Sequence, residues 1–270
     1  MDSTRQPLDR ELILERISPA TRTWVSEIGV HEEINSTNTH LMTRAAAEDI
    51  DGVVCIAERQ TAGRGRRGRT WLTPSGGAIA LSLGRHLSVA VAEIAPLSLI
   101  VGLAVANAMH DSGVNGVSLK WPNDILLDGA KVGGILIELA AITQPLKIVI
   151  GVGINVGAGA EVRTRLGVPV GDVREKNRTI SRNNLAAGLI DNIHDFATRF
   201  EQHGFPAMRS DWETIHAHQG RHVLVIGANE TVEGIARGVT ASGELVLETD
   251  SGIRCFSGGE VSLRGAHGNV

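Results

Sequence analysis

Between Gln60 and Trp71 the chain reads QTAGRGRRGRTW, setting Arg64, Arg66, Arg67 and Arg69 among Gly63, Gly65 and Gly68 directly after the strand-like run VVCIAE. These residue types at this spacing suit an anion. Glycine lets backbone N–H groups turn toward a ligand, and guanidinium forks match phosphate oxygens. Cations this close repel one another, so the loop is expected to be mobile when empty and to order around a polyphosphate. Taken alone, it also fits a solvated turn or an RGG-like nucleic-acid tether. Further along, SLKWPND ends a β-rich run with Trp121, Pro122, Asn123 and Asp124. An amide and a carboxylate there, beside Lys120, suit Mg2+ that binds together with phosphate, or an Asx turn. KVGGIL places Lys131 at the start of an apolar run ahead of Gly133 and Gly134, and KIVIGVGINVG brings Gly151, Gly153 and Asn155. On position alone Lys131 is an edge-strand lysine with its ammonium in water, and Ser36 and Thr37 are helix-capping hydroxyls. The chain has no HExxH or paired-cysteine spacing, no evident Ser-His-Asp or Cys nucleophile, no GxGxxG after the first strand and no Walker GxxxxGK.

INSTN (Ile34 to Asn38), GRGRRGR, KWPND, KVGGIL, GVGIN and the late SGGEVSLR follow in an order that resembles the biotin protein ligases, which activate biotin with ATP and attach it to a lysine of a carboxylase carrier domain. The resemblance implies that Ser36, Thr37, Gln60, Gly63, Arg64 and Lys131 contact biotin, with Asn38, Gly65, Arg66 and Gly134 beside them. It implies that Arg66, Arg67, Arg69, Trp71, Lys120, Asn123, Asp124 and Asn155 serve ATP. Lys131, Arg66 and Asp124 are then the catalytic set. The Lys131 ammonium would lie between the biotin carboxylate and the α-phosphate, and Arg64 and Arg66 would face the adenylate. Trp71 would stack on adenine or anchor the loop, and Asp124 would bind Mg2+ or orient the incoming lysine. Some members of this family carry an N-terminal winged helix and act as repressors; residues 1–30 are too few for one, so a ligase without a DNA-binding role is expected. A lipoate ligase is the nearest rival, and a nucleic-acid-binding regulator is a more distant one.

The elements that must position these residues follow from the rest of the chain. Its 270 residues suit one large or two modest domains, and 42% hydrophobic content allows a packed core without disulfides. Cys55 and Cys255 are expected to be buried free thiols in a reducing compartment. No uninterrupted run of about 18 apolar residues occurs, and the N-terminus has acids where a secretory signal is basic and then apolar, so a cytoplasmic protein that does not bind a membrane is expected. A net charge of −4 argues against general DNA binding. Helices are expected over Arg10–Ile17, from a Thr37 or Asn38 cap through Ala47, over Ala95–Met109 with Pro96 in its first turn, and from Ser181 or Asn183 to Gly204. Val53–Glu58 and Ala78–Leu83 read as strands. From Gly220 the texture changes to HVLVIG, TVEGIARGVT, ELVLET and GIRCFSGGE, the pattern of a small all-β unit. His216, His218 and His222 read as surface residues. The resemblance implies an α+β catalytic domain over 31–219, with a mixed, mainly antiparallel sheet of the class II aminoacyl-tRNA synthetase kind. An N-terminal extension (1–30) precedes it, and an SH3-like β-barrel (220–270) follows and closes over ATP or docks the carrier. Arg254 and Glu260 to Arg264 match the family's last motif, with Phe256 where some relatives carry tryptophan. The chain is expected to be a monomer or a ligand-linked homodimer.

Overall fold

The computed structural model describes residues 6–167, 169–226, 230–257 and 262–265. Its larger sheet has seven strands in the order β1-β2-β3-β7-β6-β5-β4: β1 (Glu27–Ile34), β2 (Val53–Gln60), β3 (Ala78–Leu87), β4 (Val117–Lys120), β5 (Asp124–Leu127), β6 (Ala130–Ala141) and β7 (Leu146–Asn155). Only β1 and β2 run parallel; the other neighbours are antiparallel, giving the mixed, mainly antiparallel sheet expected. β3 and β7 are buried along almost their whole length because both faces of the sheet are covered. On one face lie α1 (Arg10–Arg16), α2 (Pro19–Trp24), α4 (Leu97–Asp111) and α6 (Arg182–His203), around a core that includes Ile13, Ile100 and Leu189. On the other lies α3 (Thr37–Arg44), whose Leu41 packs with Val53, Cys55 and Val149. Two shorter helices, α5 (Gly159–Leu166) and α7 (Arg209–Thr214), complete the larger unit. No described helix is long and apolar enough to cross a membrane.

A buried ion pair between α6 and β2 holds the segment that leads into α1, with the Leu8 N–H donating to Glu58. Arg182 Nη1 lies 2.7 Å from Glu58, and the same guanidinium donates to the carbonyls of Gln6 and Ala78. Burial would raise the Glu58 pKa, but Arg182 and the N–H groups of Leu8 and Gly76 outweigh it and hold the carboxyl below its ordinary value. Removing one partner of such a pair costs about 3–5 kcal/mol.

The small β unit is a five-stranded antiparallel sheet in the order β11-β10-β9-β8-β12: β8 (His222–Ile226), β9 (Thr231–Val239), β10 (Leu245–Thr249), β11 (Gly252–Phe256) and β12 (Ser262–Gly265). It is tied to the large unit at the KWPND step. The Trp121 indole, 1% exposed, donates to the Gly243 carbonyl at 3.0 Å, and a side chain at Gly243 would strike Pro96 at 2.8 Å.

Several expectations are corrected. The capping role read for Ser36 holds, since it accepts from the Thr39 N–H, but Thr37 and Asn38 do not cap α3 and the helix stops at Arg44 rather than Ala47. Pro96 is the cap of α4 rather than part of its first turn. Cys55 is buried as expected, but Cys255 is exposed, because Phe256 faces inward at the end of β11 and strand alternation turns its neighbour outward. His216 is 6% exposed and stacked on Trp212 at 4.5 Å, and His218 is half-buried; of the three histidines only His222 is exposed. The cause is a bridge that sequence pattern does not reveal: the Leu119 N–H donates to the Ile215 carbonyl and the Ala217 N–H to the Leu119 carbonyl, drawing this segment against β4. Of the SGGEVSLR motif, residues 258–261 and the side chains of Ser262 to Arg264 lie outside what is described, so the readings of Glu260 and Arg264 do too.

Candidate active site

A cavity of about 600 Å3 opens between the Gly-Arg loop, the start of α3 and the sheet. Its floor is polar. Ser82 Oγ on β3 lies within hydrogen-bond distance of Thr37 Oγ1, at 2.7 Å, and of Asn38 Oδ1, at 2.5 Å. Gln60 Oε1 accepts from the Thr37 N–H at 2.8 Å, and its amide donates to Thr73. Asn38 comes this close because residue 151 is glycine; a Cβ there would stand 2.0 Å from its side-chain oxygen.

The Gly-Arg loop is a hairpin, bridged at Gln60↔Thr73 and Arg64↔Thr70. Gly63 sits in its stem, where the Trp71 N–H donates to its carbonyl and a Cβ would strike the Trp71 oxygen at 2.3 Å. Of the residues that the sequence analysis assigns to biotin or ATP, Gly63 is outside the cavity lining and the others all line it. Arg64 pairs with Glu138 at 2.9 Å, and Arg66 donates to the Asn123 amide oxygen at 3.0 Å, joining the loop to the KWPND turn. Burial and then the neighbouring Arg67 charge lower the Arg66 pKa. The Trp71 ring packs against β7 where residue 153 is glycine; a Cβ there would meet the ring at 2.5 Å. Its indole N–H and the Asn155 side-chain oxygen are both buried without a hydrogen-bond partner among the described residues.

Lys131 reaches back across the β5–β6 hairpin to Asp124, with Nζ 2.5 Å from Oδ1, and remains 41% exposed. Its backbone carbonyl accepts from Gly171, which draws Val170 beside it; Val170 and Val162 of α5 form an apolar patch with Leu72. The cavity therefore has a hydroxyl-and-amide floor, an apolar wall and a cationic roof. It can hold a molecule with a hydrogen-bonding ring, an apolar stem and an anionic end.

Sequence reasoning missed Glu138, Ser82 and the Val162–Val170 wall. Glu138 left a readable signal, a lone carboxylate inside the apolar run GGILIELA. It accepts from both Arg64 and Asn38. Ser82 and the wall left none.

Comparison with known proteins follows the same lines. Residues 30–155 match the model of the biotin/lipoate A/B protein ligase family, and residues 218–264 match the biotin protein ligase C-terminal domain. The chain is 38% identical to the bifunctional ligase/repressor BirA of Escherichia coli (strain K12) over 88% of this chain and 74% of that protein. It is 35% identical to the biotin--[acetyl-CoA-carboxylase] ligase of Mycobacterium tuberculosis (strain H37Rv), over 96% of this chain and 97% of that one. The solved structure of the biotin protein ligase from Aquifex aeolicus in complex with biotin and ATP superposes with a TM-score of 0.77 at 27% identity, covering 89% of this chain and 100% of that one. On sequence, cavity and fold together, the chain belongs to the biotin/lipoate A/B protein ligase family.

Proposed function

We infer that the chain is an ATP-dependent biotin–protein ligase, which makes biotinyl-5′-AMP and passes the biotinyl group to a lysine of a biotin carboxyl carrier domain, that of an acetyl-CoA carboxylase by the names of its relatives. The observation that carries this reading is the single cavity with a hydrogen-bonding floor at one end, arginines at the other and Lys131 on its wall. The ureido ring, with one carbonyl and two N–H groups, suits the hydroxyls and amides of Ser36, Thr37, Asn38 and Gln60. The valeryl stem suits the apolar wall. Adenylation joins two anions: a carboxylate oxygen attacks the α-phosphorus and the bond to the departing diphosphate breaks. Positioning and cations therefore do most of the work. Lys131 stands between the reactants, Arg64 and Arg66 face the adenylate, and Arg67, Arg69 and Lys120 meet the outer phosphates. The Trp71 indole N–H and the Asn155 side-chain oxygen, without partners among the described residues, are left to the nucleotide. In transfer the lysine amine attacks the acyl carbon, AMP leaves and the amine loses a proton.

Mg2+ fits the donor set only in company with nucleotide. One Asp124 oxygen is engaged by Lys131 and the Asn123 oxygen by Arg66, leaving the second Asp124 oxygen to the metal while phosphates and water supply the rest. Bound there, Mg2+ would offset phosphate charge. The names of the relatives favour biotin over lipoate, and the two unpaired cysteines agree with a cytoplasmic setting. The test is incubation of the protein with biotin and MgATP, then with a carrier domain. Diphosphate release without the carrier and a biotinyl mass gain on the carrier lysine are expected. Folded protein that releases no diphosphate with biotin overturns the reading, and release with lipoate alone moves it to the rival.

A further inference from the structure

Three metal-ligating side chains converge outside the reaction cavity. His31 lies on β1, Cys55 on the adjoining β2 and His40 on α3, and one donor atom from each lies within 4.8 Å of the other two. The convergence is built into the register. Gly29 lies opposite Cys55 and His31 opposite Ala57 on two parallel strands, so His31 and Cys55 leave the same face of the sheet, the face that α3 covers. Gly29 makes room for the first imidazole, since a Cβ there would stand 3.2 Å from His31 Nε2. The two imidazoles tilt toward each other with centroids 5.2 Å apart, and no ring nitrogen of either is hydrogen-bonded among the described residues. Arg44, one turn beyond His40, is held by Glu27 and Glu48 at 2.8 Å each, so its charge beside the cluster is compensated.

We propose that His31, His40 and Cys55 form a site for a borderline divalent transition metal, with Zn2+ the chemical match and a water molecule as fourth ligand. Two imidazoles and a thiolate are the donors such an ion prefers. With metal–nitrogen and metal–sulfur bonds of about 2.1 and 2.3 Å, tetrahedral donors stand about 3.5 Å apart. The half-buried imidazoles close the remaining gap by rotating, while Cys55, 2% exposed, stays fixed on its strand. On binding, the S–H bond breaks, the metal–sulfur bond forms and the proton leaves to water; no electron is transferred. The metal staples α3 to β1 and β2. Because Ser36 caps α3 and its first turn carries Thr37 and Asn38, the staple fixes the floor of the cavity from behind.

The test uses the full chain with the exposed Cys255 replaced, Cys255→Ser, stripped of metal and titrated with Co2+ as a coloured probe. Expected are a thiolate-to-cobalt charge-transfer band in the near ultraviolet, the strong visible bands of tetrahedral coordination, displacement by Zn2+, and a Zn2+-dependent rise in Tm. Cys55→Ser should abolish the charge-transfer band, and His31→Ala or His40→Ala should weaken Co2+ binding by on the order of 100-fold. If Cys55→Ser fails to fold, the two histidine variants, whose side chains are only half-buried, carry the test alone. Absence of the charge-transfer band, or equal Co2+ binding with both histidines replaced, overturns the proposal.

Discussion

Replacing Lys131 with alanine separates what this residue does for stability from what it does for chemistry. Its ion pair with Asp124 is short, at 2.5 Å, but the lysine side chain is 41% exposed, and pairs in that setting are worth about 0–1 kcal/mol. For a chain of this size the loss should move Tm by only about 3 °C or less. The catalytic effect is larger. A carboxylate and a phosphate brought to about 4 Å at an effective dielectric of about 20 repel by about 4 kcal/mol. A cation that cancels most of this lowers the barrier by about 3 kcal/mol, on the order of 100-fold in rate. Diphosphate release measured with biotin and MgATP, without carrier, should therefore slow by about that factor while the melting curve barely moves. A rate within a few-fold of wild type would return Lys131 to the role of a solvated edge-strand lysine. A collapse of Tm would show that the pair is structural.

The loop should respond to ligand: trypsin should cut within residues 62–70 in the ligand-free protein and more slowly once biotinyl-adenylate is bound, and equal rates refute closure of the loop over it. Glu138→Gln removes the charge that holds Arg64, so cleavage of the empty loop should quicken and the KM for biotin should rise several-fold; if neither moves, Glu138 is not an anchor. Arg66→Gly removes the bond to Asn123 and adds backbone freedom, so adenylate should escape early and biotinylate bystander proteins on a streptavidin blot; a variant that labels only the carrier and holds adenylate as long as wild type refutes the enclosure. Burial lowers the pKa values of His216 and His218 to about 4 from 6.5, with the His216 and Lys120 charges adding to the shift of His218. The unfolded chain takes up those protons first, so their contribution to stability is complete above pH 6.5 and is lost as pH falls toward 4. His216→Gln should flatten that part of the urea-midpoint profile, and an unchanged slope contradicts the assignment.

Much of the site was legible because its chemistry is written in short runs. The arginines of the loop, the asparagine and aspartate after Pro122, and Lys131 ahead of Gly133 and Gly134 each declare a local geometry. The small β unit was legible through turn and strand signals, whereas the mixed sheet was implied by the family resemblance. What escaped depends on which strands become neighbours. Ser82 becomes the hub of the polar floor only because β3 passes beneath α3, and Glu138 meets Arg64 across 74 residues of chain. The burial of His216 depends on a bridge to Leu119, and the exposure of Cys255 on which residue of β11 faces inward. Helix boundaries slipped by a few residues because Ser36, Thr37 and Asn38 are all good caps, and the competition among them was decided by Gln60 and Ser82 from other strands.

The Trp121 bond to Gly243 also bears on cooperativity. The small sheet does not merely adjoin the large one: it completes the shell around a fully buried indole at the step that carries Lys120, Asn123 and Asp124, and the Ile215–Ala217 segment that leads into it hydrogen-bonds β4. Peeling it away would uncover an aromatic side chain worth about 3–5 kcal/mol and release the strand end beside the nucleotide pocket in the same event. The two sheets should therefore melt as one calorimetric unit, and the small one would act less as a detachable accessory than as a keystone without which the other end of the arch cannot stand.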